Sequence, residues 1–425
     1  MLVQKIKQLI KRFLPDSWIR KYRKWKRNQE RDRKKLKIGV ISINVHTEHL
    51  NVACPLHSLA FSKVLTDMGY ENVIVNFRPN TVSKNDQMIK YPLLKWNKVS
   101  DENPNKPGEV AKWTALYDLR ARRYDKFMTF VNKYLNLTQG SYTDQSLDQA
   151  TGVEGVNCFI AASDVIWVYF RRKGGFNKAF FLASRAMQGS YRIAYAASRS
   201  DNIYDEKAKK EFLSYIKNIH AVSTREKSFS EYIASISSVP VTHVLDPVAL
   251  LPKVYYESIM IKPREKGYVL LYLAARDNEE LVALAANFAR GKNLDLIELS
   301  EYHLHPAQTG YARHRLIYDI ATDEWLGFIN NAAYVFTQSL HATYLSIILE
   351  KQFFCGWRNG DKVDHVMESF RLSWRKTEKA FDSSGKLLVG DIDYRKVNAI
   401  RGKLARRSLG FLKKALKDAE EYVNK

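Results

Sequence analysis

Apolar positions in this chain fall into two alternating rhythms. From Lys37 onward, short β-branched runs recur, each followed by a polar loop and then a stretch with apolar residues at helical spacing. KIGVISI (37–43), ENVIVNF (71–77), CFIAASDVIWV (158–168) and YRIAYAAS (191–198) read as buried strands. NIHAVSTRE (218–226) reads as a strand-to-helix junction, and VTHVLDPVALL (241–251) as a last strand entering a linker near Asp246–Pro247. A fresh series then starts with GYVLLYLAA (267–275) and LDLIELS (294–300). It ends in VFTQSLHATYLSIILEKQFF, where Tyr334–Phe336 predicts a strand, Thr337–His341 a turn and Ala342–Glu350 a helix. Helices are also predicted over Pro55–Met68, Trp113–Leu135, Asn278–Ala289, Asp323–Ala332 and Tyr394–Val423, with an irregular excursion over 80–110. Strands alternating with helices imply parallel sheets, and the break at Asp246 implies two of them in succession.

The pattern divides the chain into a basic amphipathic N-terminal segment, 1–36, an N-terminal α/β domain, 37–246, and a C-terminal α/β domain, 247–393. A last helix, 394–425, packs back on the body. Charge changes this picture at one end. The formal net charge is +23, and residues 1–37 carry fifteen Lys or Arg against three Asp or Glu, so about half of the excess belongs to the tail. That concentration argues against a nucleic-acid-binding body. LVQKIKQLIKRFL (2–14) places Leu2, Ile6, Leu9, Ile10, Phe13 and Leu14 near one helical face, and Trp18, Tyr22 and Trp25 follow among Arg and Lys. This mixture suits either an anionic membrane surface or a solvated basic tail. No apolar run reaches the ~18 residues of a membrane span, and no secretory h-region follows the basic start. The three cysteines, Cys54, Cys158 and Cys355, are widely spaced in apolar sequence, which suggests neither disulfides nor zinc and fits a cytoplasmic setting.

Ligands of open α/β sheets collect at the carboxyl ends of strands, which selects the candidate chemistry. His341 falls at a helix start beside unpaired amides, as a phosphate partner or general acid, or as a satisfied structural residue. Arg225 in VSTRE is placed to grip a carboxylate or phosphate, or to pair with Glu226. Asp164 after FIAAS either acts on a substrate hydroxyl or shapes a turn, and Arg199 adds a positive charge after YAAS. The loop SEYHLHPAQTGYARHR holds His303, His305, Arg313 and His314. It lacks an i, i+4 pair and has no carboxylate beyond Glu301, so it reads as an anion-lined substrate loop and no metal site is expected. No dinucleotide fingerprint, P-loop or nucleophile elbow is present.

In their order, these segments resemble the polysaccharide pyruvyl transferase family from about Lys37 to about Arg375. NVACPLHSLAFSKVLTDMGYENVIVNFRP is similar to the family's opening loop, helix and second strand ending in Arg-Pro. FIAASDVIW is similar to its Gly-Ser-Asp-Gln-Val-Trp segment, YRIAYAAS to Tyr-Ala-Ala-Ser and VSTRE to Ser-Val-Arg-Glu. VLDPVALL is similar to Leu-Asp-Pro-Thr-Leu-Leu, and the stretch around SLHAT to Ser-Phe-His-Gly-Thr. The resemblance implies two Rossmann-like domains with a central cleft, similar to the GT-B glycosyltransferase architecture. It also implies transfer of pyruvate from phosphoenolpyruvate to a sugar as a ketal, with release of phosphate and no cofactor. His341 and Asp164 would then be catalytic, and Arg225, Arg199, Ser339 and Thr343 would bind the donor. The acceptor would be a sugar of a surface polysaccharide or its lipid-linked precursor, met at the inner face of the cytoplasmic membrane.

The chain departs from the family pattern at several site positions. Ala342 replaces the glycine after the histidine, Val168 an asparagine after Val-Trp, and Arg199–Ser200 a Phe-Gly pair. Two other readings share the architecture: a glycosyltransferase using a nucleotide sugar, and a non-catalytic family member.

Overall fold

The computed structural model describes residues 35–46, 50–80, 107–170, 175–199, 204–273, 278–300, 305–357 and 361–425. Within the first half these form strands β1 (Lys37–Ile41), β2 (Glu71–Arg78), β3 (Leu137–Thr143), β4 (Cys158–Asp164), β5 (Tyr191–Ala197), β6 (Ala221–Thr224) and β7 (Val241–His243). Helices α1 (Ala53–Asp67), α2 (Pro107–Tyr134), α3 (Glu206–Ile216) and α4 (Lys227–Ile236) connect them. The second half adds α5 (Lys253–Ile259), β8 (Val269–Tyr272), α6 (Glu279–Gly291), β9 (Leu296–Leu299), β10 (His314–Ile317) and α7 (Thr322–Asn331). It continues through β11 (Tyr334–Thr337), α8 (Leu340–Ile348), β12 (Gln352–Cys355), α9 (Lys362–Ser369) and α10 (Tyr394–Val423).

Every strand pairing is parallel, in two sheets ordered β3-β2-β1-β4-β5-β6-β7 and β10-β9-β8-β11-β12. Both faces of each sheet are covered, so the central strands are apolar throughout rather than alternating. Ile38, Val40, Ile160 and Ile193 face one core, while Ile41, Phe159, Ala161 and Ala194 face another. The first of these cores runs through to Leu270, Trp325 and Val335 of the second sheet, so the inner faces of both domains share it.

Three strands escape the sequence pattern: β3 and β10 are sheet edges with few fully buried positions, and β12 follows α8 after a link too short to break the apolar run. The linker at Asp246–Pro247 is a 3₁₀ turn, Pro247–Leu250, capped by the Asp246 side chain through Val248 N–H at 3.0 Å. The amphipathic segment at the N-terminus lies outside the described residues, apart from Lys35 and Leu36.

Polar ties cross between the domains. The Thr322 hydroxyl donates to the Val52 carbonyl at 2.8 Å. Arg123, 1% exposed, donates to the carbonyls of Leu50 and Ser300. Ser228 on α4 donates to Asp361, which precedes α9, at 2.6 Å. In each sheet the chain reverses its direction of winding between two strands, β1 and β4 in the first and β8 and β11 in the second. These switch points are where open sheets leave a crevice.

Candidate active site

At the first switch point β4 ends at Asp164, which takes a left-handed backbone with φ 70°. Aspartate tolerates that region better than most residues. Its carbonyl accepts from Ile166 and Ser198 N–H, which fixes the turn and leaves the carboxylate free to face α1. There His57 presents its ring, with Nε2 at 3.9 Å from Asp164 Oδ2. At the second switch point, Ser339 caps α8 by accepting from Ala342 N–H at 3.4 Å and so sets His341 in the first turn. The rings of His57 and His341 stack across the cleft with centroids 5.8 Å apart and planes 19° apart.

Arg225 lies between these elements with 2% of its side chain exposed. Its Nε is 3.0 Å from Glu226 Oε1, one terminal nitrogen is 3.0 Å from Asp246 Oδ2, and the other is 3.5 Å from Asp164 Oδ1. Asp246 Oδ2 also accepts from the Ser163 hydroxyl at 3.1 Å and lies 3.5 Å from His341 Nε2, an electrostatic contact short of a formed hydrogen bond. The Ser198 hydroxyl donates to Glu226 at 2.9 Å. Each segment that carries the resemblance therefore contributes to one cluster: His57, Ser163 and Asp164, Ser198, Arg225 and Glu226, Asp246, and His341.

Burial and neighbouring charges fix the state of His57 and of the two carboxylates. Burial lowers the His57 pKa to about 4, with Asp164 opposing and His341 reinforcing the shift, so this ring is neutral at pH 7. Its Nε2 is buried with no hydrogen-bond partner. Burial would raise Asp164 and Asp246, yet Arg225, His341 and His57 outweigh it. Asp164 falls to about 2 and Asp246 well below the usual carboxylate range. Both stay ionised. Cys54, His57 and Asp164 each bring one potential ligand atom within 4.8 Å of the others. Cys54 Sγ and His57 Nε2 face Asp164 Oδ2 at 4.0 and 3.9 Å, while Arg225 holds the other oxygen, Oδ1, at 3.5 Å.

Other sequence candidates have different surroundings. The sequence pattern assigns Arg225 to the donor, but its guanidinium is surrounded by three carboxylates and organises the site from beneath. Arg199 lies 4.3 Å from the Tyr232 ring centroid, 4.5 Å from Phe229 and 5.6 Å from Tyr204, an aromatic box apart from the two histidines. Thr343 donates to the Ser339 carbonyl at 2.8 Å and sits 3.3 Å from Cys355 Sγ, which turns it into the helix. In the candidate substrate loop, His303 lies outside the described residues and His305 is exposed. Arg313 pairs with Asp295 at 2.5 Å, and His314 is buried on Glu298 at 3.1 Å, so both tie the sheet edge together instead of lining the cleft.

His57, Asp246 and Lys362 are the site residues the sequence pattern misses. His57 reads locally as a tolerated polar residue in NVACPLHSLAF, although Asp246 had a signal in its Leu-Asp-Pro turn. Lys362, in the first turn of α9, acts on the Asp164 carboxylate and lines a small cavity with Arg225, His365 and Leu340.

Two parallel α/β domains with a polar site at their facing switch points give a GT-B-like layout. The family model for polysaccharide pyruvyl transferase matches residues 56–357, well over half of the chain, and the protein belongs to that family. A search among curated proteins finds no match. Among solved structures, the chain is similar to the UDP-GlcNAc 2-epimerase from Methanocaldococcus jannaschii, with TM-score 0.41, 11% identity, and coverage of 87% of this chain and 93% of that one. It is also similar to the heptosyltransferase WaaC of E. coli, with TM-score 0.35, 9% identity, and coverage of 76% and 90%.

Proposed function

We propose that the protein moves the enolpyruvyl carbon skeleton of phosphoenolpyruvate onto two hydroxyls of a sugar, forming a pyruvate ketal and releasing phosphate. Family membership supports the reaction class, and the stacked pair of imidazoles, with His57 held neutral by burial and His341 beside Asp246, supports the assignment of roles. His341, whose Nε2 lies 3.5 Å from Asp246 Oδ2, donates a proton to C3 of the enol, which becomes a methyl group and leaves C2 electrophilic. The first sugar hydroxyl adds to C2 and passes its proton to neutral His57. His57 returns that proton to the departing phosphate. The second hydroxyl then closes the ketal and its proton restores His341, so the cycle ends with both rings in their starting states.

Arg225 positions Asp164 and Asp246 rather than holding the donor. The donor's phosphate and carboxylate fall to the amides at the start of α8 and to Lys362. The acceptor is a sugar of a surface polysaccharide or its lipid-linked precursor, and residues 1–36 hold the enzyme at an anionic membrane surface. Among the described residues no helix is long and apolar enough to cross a membrane.

The test is phosphate release from phosphoenolpyruvate in the presence of a panel of sugar acceptors, with UDP-sugars as controls, run in deuterated water. Wild type is expected to place one deuterium in the product methyl, and His341→Asn to lower kcat by ~10²–10⁴-fold and slow deuterium entry at C3 equally. Lys362→Met is expected to raise the donor KM with a smaller effect on kcat. Turnover of a UDP-sugar without any response to phosphoenolpyruvate would refute the reading.

A further inference from the structure

The long C-terminal helix α10 carries a charge pattern that its packing does not explain. From Tyr394 to Lys417 it has no carboxylate at all, and the first acidic residue is Asp418. Over that length Arg395, Lys396, Lys403, Arg406, Arg407, Lys413, Lys414 and Lys417 are all exposed. At about 100° per residue they fall within an arc of roughly 120° along ~33 Å of helix. The opposite side, with Val397, Leu412, Ala415, Leu416 and Ala419, is buried against the body. Lys417 pairs with Glu421, and Arg395 and Lys396 lie 3.5 Å from Asp393. Among the described residues, Lys403, Arg406, Arg407, Lys413 and Lys414 have no carboxylate within ion-pair distance. A stripe of like charges without counter-charges opposes its own folding through repulsion, and an external polyanion removes that repulsion.

The course of the chain indicates which polyanion. Asn157 donates to the Lys35 carbonyl at 3.0 Å and accepts from Lys37 N–H at 2.9 Å, and its own carbonyl accepts from Tyr191 N–H. The Tyr191 ring lies 5.5 Å from Tyr422, near the end of α10. The N-terminal segment thus joins the body beside the far end of the basic stripe. Its sequence combines Lys and Arg with Leu, Ile, Phe and Trp at helical spacing, a composition that suits a lipid interface more than a nucleic acid.

We infer that the outer face of α10 is a membrane-docking surface that lies flat on anionic headgroups. A stripe of ~33 Å held on the surface along its length fixes the orientation of the body. This inference deepens the membrane assignment above and does not depend on the pyruvyl chemistry, because vesicle binding is read without turnover.

The experiment uses the full chain with phosphatidylcholine vesicles containing about one-quarter phosphatidylglycerol, and with pure phosphatidylcholine as control. The compared variant carries Lys403→Gln, Arg406→Gln, Arg407→Gln, Lys413→Gln and Lys414→Gln. All five side chains are exposed, so its melting temperature should equal or exceed that of wild type and its turnover of a water-soluble acceptor should match. Each basic residue near an anionic surface is worth roughly fivefold in partition, so the variant should bind the anionic vesicles at least ~100-fold more weakly. Wild-type binding should weaken steeply with salt and be absent on neutral vesicles. Equal partition of variant and wild type would overturn the inference and leave docking to the N-terminal segment. Retention of wild type on duplex RNA, with no binding to either vesicle, would overturn it in favour of a nucleic-acid surface.

Discussion

An imidazole buried without a partner for its Nε2 is costly, and His57 sits in a helix where almost every neighbour is apolar. The cost falls on the charged form, which holds the folded-state pKa near 4 against 6.5 for an unperturbed ring. Below pH 6.5 the unfolded chain therefore binds a proton that the folded one refuses, and stability is lost as pH falls from about 6.5 to about 4. His220 and His243 are lowered too and act in the same direction. His365 is raised by Asp361, so its contribution is complete below 6.5 and fades as pH rises through its elevated pKa. His57→Asn should flatten the acid limb of the urea midpoint plotted against pH, by on the order of 3 kcal/mol between neutrality and pH 4. An unchanged slope would mean that the ring is solvated in the folded protein. Ala342 also becomes clear at this scale. It is fully buried within the shared core, so the methyl that replaces the family's glycine adds packing there and does not protrude into the cleft.

Helix packing decides what a glycine is for. A Cβ on Gly327 in α7 would lie 1.9 Å from the Ile261 carbonyl, on a segment that also donates from Ile261 N–H to the Asp323 carbonyl. Gly291, at the end of α6, has open space around it. Gly327→Ala should therefore cost about 1–3 kcal/mol or more in chemical unfolding, while Gly291→Ala should be neutral or mildly stabilising. Equal stabilities for the two variants would show that α7 does not rest on Ile261. Elements buried on both sides were legible in the sequence for the same physical reason, since β4, β5 and β8 must be apolar throughout. The edge strands LTQGSYT and HRLI bury few positions and so carry no such pattern, and QFFC merges with the helix before it. At the site, His341, Arg225 and Asp164 were legible because each stands next to a strand end. His57 was not, because what makes it chemical is its approach to Asp164 and His341, more than a hundred residues away in each case.

Across the whole molecule, α10 belongs to neither domain alone. It starts on the second, where Asn398 bonds Glu350 at 2.7 Å, and passes the connection at Arg401, which donates to the Leu251 carbonyl at 3.1 Å. It then accepts from Leu245 N–H through the Ser408 hydroxyl at 2.9 Å and ends on the first domain beside Tyr191. Leu416 is fully buried in the core that also contains Ile193 of β5, Trp325 of α7 and Val335 of β11. A chain tied together in this way should unfold as one unit, since losing the strap exposes both inner sheet faces at once. Leu416→Ala, which leaves a cavity in that core, should cost about 2–5 kcal/mol. The loss should appear equally in amide exchange of β5, which the helix touches, and of β11 in the second sheet. A fall in protection confined to β5 would mean that the domains unfold separately, and the cleft would then be set by the polar ties at Arg123, Thr322 and Ser228 instead of by the shared core.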